Sequence, residues 1–263
     1  MIDFTVSIYK KMLISLLKQG YHFQPFNEFL LSPKNKVVVM RHDVDRLPKN
    51  ALLMAKLESE LHVKSSFYFR IVKSSNHPEI INTIKELGHE IGYHYEDLNI
   101  AKGNKQKAIE YFKANLAYFR QFYPVNTICM HGSPMGKWDN RLLWNDYKYK
   151  DLGIIGEPYF DVDYNKLLYI TDTGRKWNNS ISNIRDKVSS GFNFSFNSTH
   201  HIIQLISQNK LPNQIMFSCH PQRWSNPNIK WVIELLTQSV KNPIKKAIIK
   251  KKCAASNSTN LGK

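Results

Sequence analysis

At 263 residues the chain is long enough to bury one large core, and with 42% hydrophobic and 12% aromatic residues it is not a disordered polymer. It carries 37 Lys+Arg against 21 Asp+Glu, a net charge of +16. That excess points to an anionic partner such as a membrane surface, a phosphate-bearing substrate or nucleic acid, and says nothing of fold.

Three scattered cysteines, Cys129, Cys219 and Cys253, form neither a disulfide framework nor a CxxC pair. No stretch approaches the ~18–20 apolar residues of a membrane span. Near the start, Asp3, Lys10, Lys11 and Lys18 interrupt the apolar residues, unlike a secretory signal. The expectation is a cytoplasmic protein.

In chain order, Phe4, Ile8, Met12 and Leu16 recur at helical spacing, with Gly20 as a stop. Val37–Met40 reads as a buried strand that runs into Arg41-His-Asp-Val-Asp45. Pro48 opens a helix through Leu61, and Ser66–Phe69 is a strand ending at Arg70. A helix from Pro78 to Leu87 stops at Gly88, and His89–His94 is the next strand. Ala101–Phe122 reads as one long amphipathic helix, followed by strand Thr127–Met130 and His131.

Residues 140–147 look helical, and Gly153–Gly156 and Leu167–Thr171 look like short strands. Gly174–Asn197 is too rich in Asn, Ser and Gly to assign. Ser198 or Thr199 caps a helix through Ser207, and Gln214–Cys219 is the last strand, ending at His220. A final basic helix spans about Pro227 to Lys252, and 253–263 is a polar tail expected to be disordered. With no repeat or linker, 1–252 reads as one domain.

Strands alternating with helices imply a parallel sheet. Strand after strand places polar residues at its C-terminal end: Asp43 and Asp45, Arg70, His94, His131, Asp172, His220. In a parallel α/β barrel those ends converge on one face, where active sites are built. The predicted class is therefore α/β, a barrel with one mouth.

Three motifs, in order, resemble the polysaccharide deacetylase family, the NodB-homology group of carbohydrate esterases. Arg-His-Asp-Val-Asp at 41–45 looks like its acidic motif. Gly-His-Glu-Ile-Gly-Tyr-His at 88–94 is similar to the opening of its histidine motif. Met-Phe-Ser-Cys-His-Pro at 216–221 looks like its closing motif. The resemblance implies a distorted (β/α) barrel that removes an acetyl group, N- or O-linked, from a carbohydrate with a divalent metal ion, best Zn²⁺.

It casts Asp43 as general base and His220 as the acid for the leaving group. Asp45 and His94 become metal ligands. Where the family has its second histidine this chain has Leu98, which cannot bind metal. Glu96, Asp97 or His131 must stand in, and His131 is favoured, ahead of Glu96. The family's later arginine is also missing, leaving Arg70 or Arg175 to orient Asp43.

Asp172, Arg175, Trp177, Arg223 and Trp224 are candidates for a sugar subsite, while His42 and His89 read as structural. Six lysines with three isoleucines at 241–252 suit docking on an anionic membrane, where a lipid-linked carbohydrate would be met. Nucleic acid, resting on charge alone, ranks below. The alternative to an enzyme of surface-polysaccharide biosynthesis is a catalytically silent glycan-binding module on the same fold.

Overall fold

The computed structural model describes residues 2–133, 136–177, 188–227, 231–233 and 235–237. Helix α1 (Val6–Lys18) is capped by Thr5, whose hydroxyl accepts from the Ile8 amide. Strand β1 (His22–Phe23) and helix α2 (Phe26–Leu31) lead to β2 (Val37–Val44), so the strand runs through the acidic motif. Then come α3 (Pro48–Glu60), β3 (Ser66–Phe69), α4 (Pro78–Glu86) and β4 (Glu90–Tyr95). Pro at the first position of α3 and of α4 costs no hydrogen bond.

The expected long helix is two: α5 (Asp97–Ile100) and α6 (Lys105–Phe119). Lys102 and Gly103 take positive φ values of 51° and 85°, which no helix continues through. A side chain at Gly103 would run into the Trp138 indole. Asn104 then caps α6, its side chain accepting from the Lys107 amide at 3.0 Å.

Strand β5 (Ile128–Met130), two 3₁₀ turns (Asn140–Asn145 and Tyr149–Leu152) and α7 (Pro158–Asp161) follow. The strand expected at 153–156 shrinks to one bridge between Thr127 and Gly156. Next are β6 (Leu168–Thr171), α8 (Thr199–Ser207) capped by Ser198, β7 (Gln214–Cys219) and a 3₁₀ turn at Pro221–Arg223. Of the expected final helix, 231–233 and 235–237 are helical. The basic segment 241–252, the tail 253–263 and residues 178–187 lie outside the described residues.

All strand pairs are parallel, in the order β5-β4-β3-β2-β7-β6. β1 also pairs with β2, at Val37 and Val38, below the β3 pairing that starts at Arg41. Every residue of β2, β3 and β4 is buried, as in a sheet covered on both faces.

Alternation sorts the two faces. Val38, Met40 and Phe217 pack outward on α1 and α8, and Phe67, Ile91 and Tyr93 pack outward on α4 and α6. Val37, Val39, Tyr68, Cys129, Tyr169 and Met216 share an inner core. Cys129 and Tyr169 come from opposite ends of the strand order, so the sheet must curl to bring them together. The result is a distorted (β/α) barrel; among the described residues no ladder joins β5 to β6. No described helix is long and apolar enough to cross a membrane.

Candidate metal and acid–base centre

The inward residues of each strand change from apolar to charged toward the C-terminal end. On β2 the order is Val37, Val39, Arg41, Asp43, and Asp45 follows the strand. Arg41 is fully buried, and its Nη2 donates to Asp43 Oδ2 at 2.9 Å and to Ser218 Oγ at 2.9 Å. Register puts Ser218 opposite Arg41, and its hydroxyl also donates to Asp43 Oδ2, at 3.2 Å. Burial alone would raise the Asp43 pKa, but Arg41, His94 and His220 outweigh it and hold the carboxyl below its usual range. Asp43 therefore stays ionised at neutral pH.

Three side chains meet just above. His94 Nε2 lies 3.5 Å and His131 Nε2 lies 3.4 Å from Asp45 Oδ1. His94 Nδ1 is 2.9 Å from the Cys129 carbonyl oxygen, which can only accept, so Nδ1 carries a proton. His131 Nδ1 lies 3.0 Å from Glu96 Oε2 and from Ser133 Oγ, and donates to that side. In the neutral rings both Nε2 atoms thus present lone pairs toward Asp45 Oδ1, itself buried without a hydrogen-bond partner. Asp45 is pushed up by burial and pulled well below its usual pKa by His131, His94 and His220.

The divalent ion implied by the resemblance fits here. Tetrahedral bonds of about 2.1 Å space donor atoms about 3.4 Å apart, and two nitrogens with one carboxylate oxygen suit Zn²⁺. A second group, Asp43, His94 and Cys129, is also close enough. It suits an ion less well, because Asp43 is already satisfied by Arg41 and Ser218, and Cys129 would have to ionise beside a carboxylate.

Glu96 is on the far side of His131 from this cluster. Its Oε1 accepts from Arg70 Nε at 2.7 Å, and its Oε2 faces His131. Burial would raise the Glu96 pKa, but His131 and Arg70 bring it down to about 2. Glu96 thus orients His131. Leu98 is buried in the outer core with Tyr93 and Tyr95, away from the cluster.

His220 closes the mouth. Its Nε2 is 4.0 Å from Asp45 Oδ2, while Nδ1 lies 2.6 Å from Asp172 Oδ1. Asp172 also accepts from the His220 amide at 2.9 Å, Arg223 Nη1 at 2.5 Å and Trp224 Nε1 at 2.7 Å. Burial would raise its pKa; Arg223 and His220 more than offset that and keep it ionised.

Several expected roles change on these positions. Arg41 orients Asp43; Arg70 instead binds Glu96 and reaches the Asp45 carbonyl at 3.3 Å. Arg175 packs over the Phe4 and Trp231 rings. Trp177 and Trp224 bury their rings against Phe4 and each other, so neither offers a face to a sugar. Asp172 and Arg223 are buried in support of His220. Sequence reading missed Arg41, two residues before Asp43 on β2, and Ser218, two residues before His220, which directly follows β7. It also missed Gln222, whose Nε2 donates to Asp45 Oδ2 at 3.0 Å.

His42 and His89 are structural, as expected. His42 points outward to Glu58 at 2.7 Å and stacks on Phe67. His89 Nδ1 accepts from the Ser65 amide, and its Nε2 donates to the Ala55 carbonyl.

Two solved structures of peptidoglycan deacetylase PdaC from Bacillus subtilis, the second a mutant, are similar to this chain. Sequence identities are 11% and 10%, TM-scores are 0.37 and 0.38, and each match covers 82% of this chain and 98% of the other. No protein-family model and no curated protein matches the chain.

Proposed function

We propose that the protein is a metal-dependent hydrolase that removes an acetyl group from a carbohydrate. The observation that carries this reading is the convergence of Asp45, His94 and His131 on one point, flanked by Asp43 and by His220. Asp45, His94 and His131 would hold a divalent cation, by its donors zinc. Such an ion, when bound, supplies Lewis acidity toward the acyl carbonyl.

The chain's own residues supply the proton transfers. Asp43, ionised and held by Arg41 and Ser218, takes a proton from the attacking water. His220 in its charged form donates from Nε2 to the departing nitrogen or oxygen. Asp172 keeps the ring in place and offsets that charge, and Arg223 in turn balances Asp172. One proton leaves water and one reaches the leaving group, as hydrolysis requires.

A cytoplasmic setting is part of this proposal. The cysteine pattern supports it, since Cys129 and Cys219 are buried and not joined in a disulfide.

The test is acetate release from N-acetylated and O-acetylated oligosaccharides by zinc-loaded protein. Asp43→Asn should lower kcat by about 10³-fold or more, with bound zinc near the wild-type level by elemental analysis. Turnover retained in that variant would overturn the assignment.

A further inference from the structure

Beside the Asp45 cluster, at the first turn of α3, lies a groove of about 770 Å³. Its wall carries two cations, Arg46 and Lys49, with His77 beside them, and includes the apolar Leu47, Leu53 and Ile233. None of the described residues lining it is acidic. Lys49 and His77 also line an adjoining depression, whose described lining includes one carboxylate, Glu79. A cleft lined by one sign of charge concentrates its potential on ligands of the other sign.

Two connections tie the groove to the reaction centre. Arg46 follows Asp45 in the chain. Gln222 lines the groove, only 6% exposed, and holds Asp45 Oδ2 through Nε2. Its other end, Oε1, is buried without a hydrogen-bond partner. An acceptor in that state is satisfied when a ligand hydroxyl or amide supplies the donor.

Helix α3 adds to this. It is thirteen residues long, starts at Pro48 and has no side-chain cap, and Leu47 before it adopts a φ of 54°. Its positive end, Leu47 to Asn50, forms part of the groove wall.

Resting on the deacetylase reading above, we propose that this groove is a phosphate subsite. The substrate is then a phosphate-bearing acetylated sugar rather than a neutral glycan. Its phosphate lies between Arg46, Lys49 and the start of α3, and a sugar donor group meets Gln222 Oε1. The phosphate could be that of a soluble sugar phosphate or of a sugar carried on a lipid, and the apolar residues border the same space.

The experiment measures binding and acetate release on the zinc-loaded full chain with three probes. These are N-acetylglucosamine, its 1-phosphate, and the 1-phosphate esterified to a long alkyl chain. The phosphate should bind at least tenfold tighter than the neutral sugar at low salt, and the advantage should shrink as salt rises. Lys49 is exposed, so Lys49→Glu leaves the core intact; in that variant, and in Arg46→Ala, the phosphate-to-neutral ratio should fall toward one.

A further gain on the alkyl ester assigns the phosphate to a lipid carrier, and equal binding assigns it to a soluble sugar phosphate. Equal binding of neutral and phosphorylated sugar by the wild type would overturn the subsite, as would a preference that Lys49→Glu leaves intact. If the phosphates bind as expected and no probe releases acetate, the subsite stands and the deacetylase reading falls.

Discussion

Asp172 shows how one buried side chain sets the chemistry of another. It receives four donors, and under the proposed mechanism the one that matters is His220 Nδ1. Asp172→Asn would keep the size and lose the negative charge beside the His220 ring. We expect kcat to fall by about 10²–10⁴ with KM little changed. Steady-state kinetics across pH checks this.

Glu96 plays the matching part for His131. Glu96→Gln keeps an acceptor for Arg70 but weakens the hold on Nδ1, so zinc affinity should fall by about 10–100-fold in a competition titration. Asp43, Asp45, His94 and His220 were legible in the sequence because motif spacing and strand ends coincide. Their helpers were not. That Arg41 faces Ser218, and that Asp172 sits beside His220, is fixed by the pairing of β2 with β7 and of β6 with β7. No local pattern encodes that register.

The same divide holds for whole elements. Strands Ser66–Phe69 and Gln214–Cys219 stand where their apolar runs place them, and so does helix α8, because burial and capping are local signals. The break between α5 and α6 was not legible, because its cause is Trp138, thirty-five residues further on, packed where a Gly103 side chain would be.

A similar contact makes Gly92 on β4 sensitive. A Cβ there would come within 2.3 Å of the buried Tyr68 ring. Gly92→Ala should cost about 1–3 kcal/mol in urea unfolding, by forcing that ring aside.

Helix α5 starts at Asp97, which is buried and accepts from Tyr93 and Asn115. Burial raises its pKa to about 7. The folded state therefore binds more protons than the unfolded chain between about pH 4 and 7, and stability falls as pH rises through that window. Asp97→Asn should match the wild type near pH 4 and exceed it by roughly 2–4 kcal/mol at pH 8, as read from urea midpoints.

Over the whole molecule the larger set of carboxyls shifts the other way. Asp43, Asp45, Glu58, Glu96 and Asp172 are each held below their usual values, Glu96 at about 2. A depressed carboxyl stabilises fully above its unfolded pKa, about 4, and that contribution drains away as pH falls through the folded value. The melting temperature should drop steeply below about pH 4 in scans of the metal-free protein.

The barrel's curl has a further consequence. Asp45 comes from the end of β2, His94 from β4 and His131 from just past β5, and none of these elements touches the ion's position until the strands between them are paired. No single strand or helix holds all three donors, so a cation at that point would be a ligand of the native state alone. Free zinc at a hundred times its dissociation constant would then add about 2.7 kcal/mol to unfolding, and chelation would loosen the entire assembly rather than one loop.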